Sequence, residues 1–162
     1  MPLKITTKKR PRIGDIVEFI TPNGYAYAQY THKHDKPPYW GPLIRILPGI
    51  YESPLTDFAQ LVQDNERFFI FYPLGAAVSQ GLAKIVGHEE VPERYRAFPI
   101  FKSGTPEKNT RKVVTWWLWD GEKEWCVGTL KPEQYDLPLA EIVGHPILLS
   151  RIMSGWKPSD EV

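Results

Sequence analysis

Sulfur is scarce in this chain of 162 residues, which has one cysteine, Cys126, and two methionines. A single thiol excludes an internal disulfide and any zinc site built from cysteines, and it fits a reducing compartment. Net charge is equally slight. Twenty basic residues stand against nineteen acidic ones, so no global field gathers nucleic acid or an anionic membrane, and either partner would need a local patch. No apolar run approaches the roughly 20 residues that span a bilayer. Residues 1–12 have no apolar core of a secretory leader, so a cytoplasmic location is expected. Phosphate-cradling loops are missing too: neither GxxxxGK[ST] nor GxGxxG occurs, which removes the usual signature of nucleotide chemistry. No GxSxG elbow surrounds a serine.

Aromatic residues and proline are abundant. Aromatics make up 13% of the chain, six of them Trp, and there are 16 prolines. That mixture favours strands joined by punctuated loops. The length suits one compact domain. The expected division is a basic flexible arm over residues 1–12, carrying Lys4, Lys8, Lys9, Arg10 and Arg12, then one globular domain over 13–153. A C-terminal tail over 154–162 should fray apart from Trp156. The expected fold is mostly β with α+β character, an antiparallel, partly closed SH3-like barrel or curled sheet with one or two short helices.

Along the chain, IGDIVEFI and YAYAQYTH flank Thr21-Pro22-Asn23-Gly24 and read as two strands joined by a tight turn. HKHDKPPYWGP reads as a loop leading to a third strand, LIRIL. Phe58, Leu61 and Val62 have helical spacing, with Ser53 or Thr56 available as a cap, and predict a short helix between Thr56 and Asn65. The continuous apolar run RFFIFYP predicts a central strand buried on both faces. LGAAVSQGLAKIVG reads as a helical turn followed by a strand, and KSGTPEKNTRK as an exposed loop. KPEQYDLPLAEIVGH reads as a helical turn near Pro132 followed by an extended segment, and ILLSRIM as a final strand.

The best-specified feature is VVTWWLWDGEKEWCVGTL. Asp120-Gly121 between two β-prone runs predicts a two-residue type I′ hairpin with Trp119 opposite Glu122, Leu118 opposite Lys123, Trp117 opposite Glu124 and Trp116 opposite Trp125. Val114, Trp116, Leu118, Trp125 and Val127 then share a core face. Val113, Thr115, Trp117, Trp119, Glu122, Glu124 and Cys126 share a half-wet one.

Candidate chemistry is thin. His32, His34 and Asp35 have spacing that alternate strand residues could turn toward one metal, but they precede a Lys- and Pro-rich loop and are expected to be surface groups, as are His88 and His145. Cys126 falls inside a strand and is expected to be packed rather than nucleophilic. Glu122 and Glu124 lie beside aromatic surface, yet glycosidic chemistry needs two acids across a cleft. No catalytic residue, metal or cofactor is expected. What remains is aromatic surface, because Trp and Tyr supply large contact area at small entropy cost. Two clusters carry it, Tyr25, Tyr27, Tyr30, Tyr39 and Trp40 in one, Trp117 and Trp119 in the other. At least half of these rings are expected to pack the interior.

Residues 13–30, containing GDIVEFITPNGYAYAQY, resemble the opening of the bacterial immunity protein 26 family, in which a G-D-[IV] strand, a short turn and a G-x-A-Y-[AG]-[QR] strand follow one another. The likeness is best over the first third of the chain, and RFFIFYPLG and WWLWDGEKEWCVG are broadly compatible with it. It implies a non-enzymatic cytosolic protein that neutralises a cognate toxin, encoded nearby, by direct binding. Trp117, Trp119, Glu122 and Glu124, with Tyr27, Tyr39 and Trp40, would form the binding surface, and the acidic and aromatic group would suit a basic nuclease. The same opening pattern occurs in many SH3-like barrels. An adaptor, or a nucleic-acid reader with Lys8, Lys9, Arg10 and Arg12 on phosphate, is therefore the alternative, and an enzyme using His32, His34 or Glu124 is a second one.

Overall fold

The structure is a computed structural model that describes residues 10–162. Lys4, Lys8 and Lys9 of the expected arm lie outside the described residues. The first apolar run folds as the hairpin its turn residues predict. β1 (Asp15–Thr21) passes through Pro22 and Asn23 into β2 (Gly24–His34), with Val17 opposite Ala28 and Thr21 opposite Gly24. Thr21 Oγ1 donates to Gly24 O and accepts the Asn23 N–H, closing the turn locally. β3 (Gly41–Ile46) and β4 (Phe68–Phe71) extend the sheet on one side and β5 (Lys84–His88) on the other, in the order β4-β3-β2-β1-β5, all antiparallel. A second antiparallel sheet runs β6 (Phe101–Ser103), β7 (Trp116–Trp119), β8 (Glu124–Gly128). With α1 (Leu74–Ser79) and α2 (His145–Ser154), the class is mostly β, α+β. Neither sheet closes, so two open sheets replace the barrel.

Period-two alternation sorts the large sheet into two faces. Val17, Phe19, Ala28, Ile44, Ile46 and Ile70 point toward α1 and α2, which contribute Leu74, Ala77, Leu148 and Ile152. On the opposite face, Ile16 and Tyr27 lie under Phe58, Leu61 and Val62 at one end. Leu43, Phe69 and Phe71 lie under Phe101 and Trp119 of the small sheet at the other. Between these patches sits a polar seam. Arg45, fully buried, donates from Nε and Nη2 to Gln29 Oε1, from Nη1 to Asp64 O, and again from Nη2 to Val62 O, and stacks on the Tyr95 ring. No carboxylate pairs with it among the described residues, so carbonyl dipoles and a π face replace a counter-ion.

Several sequence expectations are corrected. The helix between Thr56 and Asn65 shrinks to one 3₁₀ turn, Leu61–Gln63. β4 is buried on both faces as expected, but it terminates its sheet instead of lying centrally. Its outer edge is covered by the extended segment after the 3₁₀ turn Pro132–Gln134, where Val143 N–H donates to Phe71 O. ILLSRIM is not a strand but most of α2. Leu148 and Ile152, one helical repeat apart, face the core, Pro146 sits in the first turn, and Gly155 adopts the left-handed C-terminal cap with φ 71°.

The tail is also tied down. Lys102, expected in an exposed loop, is fully buried on β6. Its Nζ donates to Tyr135 O, Pro158 O and Glu161 O at 2.7–2.8 Å and lies over the Trp116 ring. Trp156 packs edge-on against Phe68, and Arg67 donates to the last carbonyls of α2 at Arg151 and Ile152. The Lys102 ammonium, stripped of water, is pushed down to about 8.

Candidate functional site

The β7–β8 hairpin carries most of the residues singled out from sequence, and its turn sets the geometry. Asp120 Oδ1 accepts the N–H groups of Glu122 and Lys123, and Asp120 N–H donates to Lys123 O. This side-chain-stabilised turn makes a four-residue connection. Trp119 pairs with Glu124, Leu118 with Trp125 and Trp117 with Cys126, so the two-residue register is shifted by two positions on β8. A shift of two conserves the faces within the strands, but before β7 the alternation breaks: Val113, expected on the half-wet face, packs with Trp116 and Leu118, and Val114, expected on the core face, is exposed on the Trp117 side. Gly121 takes φ 99° with Phe98 beneath it, where an added Cβ would meet Cδ1 at 2.9 Å.

Partition between faces does not settle exposure. On the expected half-wet face, Trp119 is buried against Phe71, Phe98, Phe101, Trp40 and His34, with ring centroids 4.9–6.2 Å away. Two residues earlier, Trp117 is 41% exposed. The small sheet overhangs the large one, so the Trp119 end of this face docks and the Trp117 end projects. On the expected core face, Trp116 and Leu118 are covered by Leu130, while Val114 and Trp125 remain exposed. Cys126 is exposed rather than packed.

Ser103, Gly104, Thr105, Val114, Thr115, Trp117 and Glu124 line an open cleft of about 480 Å³ on the projecting end. Glu124 is the one charged group among those lining residues, and its carboxylate has no ion-pair partner among the described residues. Of the hydroxyl wall, Thr115 lies on the face expected from its even spacing to Trp117, whereas Ser103 and Thr105, read only as part of an exposed loop, were missed.

At the turn end, β2 and the following loop join the hairpin. His34 Nε2 donates to Gly121 O at 3.2 Å, and Lys36 Nζ lies 3.8 Å from Glu122 Oε1. Tyr39 projects into solvent at 70% exposure, whereas Trp40 turns in against Phe71 and Trp119. Tyr27 is a core residue, correcting its place in the surface cluster. Its hydroxyl donates to Glu18 Oε2 and accepts the Leu55 N–H, and burial pushes it up to about 12. Of the expected set, Trp117, Glu122, Glu124 and Tyr39 therefore remain at the surface, with the buried Trp119 and the half-buried Trp40 as their footing.

The histidines have structural partners. His32 is bonded to Thr31 Oγ1 and Arg96 O, His88 Nδ1 to the buried Asp15 carboxylate at 2.8 Å, and His145 Nδ1 to the Tyr72 hydroxyl. Among the described residues no three His, Cys, Asp or Glu side chains are grouped to hold a metal ion, and no helix is long and apolar enough to cross a membrane. No protein-family description, curated protein or solved structure matches the chain.

Proposed function

We propose that the chain is a non-enzymatic binding protein, and that the projecting half of the β7–β8 hairpin is its recognition surface. The observation that carries this is the division of labour between Trp119 and Trp117: one ring is locked into the aromatic core, so the other is held out on a strand that cannot relax away from solvent. A large aromatic side chain presented rigidly loses little entropy on binding and is a favourable anchor. Glu124 lines the same cleft and adds an unpaired carboxylate, while Glu122 lies at the turn end beside Lys36; the carboxylate at Trp117 supports a basic partner surface.

Joined to the resemblance of residues 13–30, this surface supports the role of an immunity protein that neutralises a cognate bacterial toxin in the cytoplasm. The test is co-expression with the product of the adjacent gene. The wild type should restore growth and co-purify with that product, and a Trp117→Ala, Glu124→Ala double variant should do neither while keeping its circular dichroism spectrum. Protection by the double variant would remove the hairpin from the interface, and absence of both toxicity and binding would remove the immunity role.

A further inference from the structure

The two sheets have four edges, and they are treated differently. The outer edges of β4 and β6 are both capped by one extended segment: Lys102 N–H donates to Pro138 O, Ala140 N–H to Lys102 O and Val143 N–H to Phe71 O. β5 carries Lys84 and joins β1 through an irregular register, both common guards on an exposed edge. β8 also departs from regular register, with Val127 unpaired between Cys126 and Gly128, but its outer edge over Glu124–Cys126 is open. The strand runs Glu124-Trp125-Cys126-Val127-Gly128 with no proline and a single charge, and no further strand or bridge pairs with it among the described residues.

The direction of its free groups follows from the turn. Asp120 N–H donates to Lys123 O, and antiparallel pairs alternate between bonded and non-bonded. The Leu118–Trp125 pair is then bonded, and the main-chain N–H and C=O of Glu124 and Cys126 point away from β7. Both residues turn their side chains to the face that carries Trp117. A strand added along this edge would place every second side chain on that same face, about 5 Å from Glu124 or Cys126. There it would meet an aromatic ring and an unpaired carboxylate in one cleft, whose lining holds no other charge. An aromatic face beside an anion favours a cationic side chain, by cation–π attraction and by a charge-assisted hydrogen bond.

We propose that β8 accepts an extended segment of the partner as a fourth strand, and that an arginine or lysine of that segment pairs with Glu124 beside Trp117. This deepens the binding role proposed above and rests on it for the identity of the partner, but the edge and its cleft can be tested alone.

The probe is a dye-labelled peptide of alternating valine and threonine with one central arginine, and its binding is followed by fluorescence anisotropy at low salt. Three comparisons accompany it: a glutamine-for-arginine peptide, an arginine peptide N-methylated on the amides that would face β8, and the Glu124→Gln protein. The arginine peptide should bind about tenfold more tightly than the glutamine peptide, the Glu124→Gln protein should erase that difference, and N-methylation should abolish binding. Equal affinity for arginine and glutamine peptides, indifference to N-methylation, or no binding would overturn the proposal. So would a sedimenting dimer of the free protein that peptide cannot dissociate, because a second copy would then own the edge. Should peptide binding hold while the adjacent gene product neither poisons cells nor binds, the immunity role falls and the strand-accepting edge stands. The reverse pattern leaves the immunity role and removes the edge.

Discussion

Trp117 and Trp119 project from the same face of one strand, two residues apart, and differ in exposure from 41% to 9%. The difference arises because Phe71, Phe98 and Phe101 close around the second ring and stop short of the first. Stability and recognition are thereby assigned to different tryptophans of one strand.

Trp119→Ala should cost about 3–5 kcal/mol, the usual penalty for emptying an aromatic core position, whereas Trp117→Ala should cost less than about 1 kcal/mol. Partner binding should order them the other way among folded variants. Urea denaturation of the two variants beside the wild type checks this, and a large stability loss at Trp117 would contradict the described exposure.

The hairpin register is open to direct observation. In non-bonded antiparallel pairs the α-protons approach closely, so strong Hα–Hα Overhauser contacts should link Trp119 with Glu124 and Trp117 with Cys126, and none should link Trp119 with Glu122. Gly121→Ala should destabilise the turn by about 1–2 kcal/mol, because an L side chain is forced into positive φ and against Phe98.

Burial makes Lys102 a weaker base in the fold than in the unfolded chain. Its value falls from 10.5 to about 8, so between those values the unfolded chain holds a proton that the folded chain has released, and stability rises with pH across that window. Denaturant midpoints on either side of it should therefore increase in the wild type relative to Lys102→Met. The same variant removes the donor to Tyr135, Pro158 and Glu161. Faster amide exchange at Asp160 and Glu161 should report the loosened tail.

His32 and His145 are both held below their ordinary 6.5, in each case chiefly by burial. The unfolded chain takes up these protons first as pH falls, so stability should decline below about pH 6.5. In a His32→Gln, His145→Gln double variant that acid slope should flatten; an unchanged slope would place the acid sensitivity elsewhere.

The strands were legible because their signals are local. Thr21-Pro22-Asn23-Gly24 sets the first hairpin, and alternation over Trp116–Trp119 assigns side chains to faces that hold even after the register shift, whereas Val113 and Val114, ahead of the strand, exchange theirs. Two misreadings were local as well. Asp120 could be taken for the first residue of a tight turn until its carboxylate was seen to bond two amides. Leu148 with Ile152, between Pro146 and Gly155, carried a helical signal that a short apolar run obscured.

Buried charge was not legible. Arg45 sits at even spacing from Leu43 and Leu47 on a covered face, and nothing nearby in sequence announces Val62, Asp64 and Tyr95 as its partners. Lys102 looked like the start of a polar loop because its carbonyl cage comes from residues 33 to 59 positions away.

By itself the sequence determined the strands of the first hairpin and of the aromatic hairpin, the first turn and the absence of familiar catalytic motifs, since each depends on residues within a few positions of one another. Only the tertiary structure decided which aromatic rings are exposed, which charges are caged and which sheet edge is left open. Those depend on what lies on top, as where His34 meets Gly121 across 87 positions of chain, and a covering surface so distant leaves no mark on the local pattern it covers.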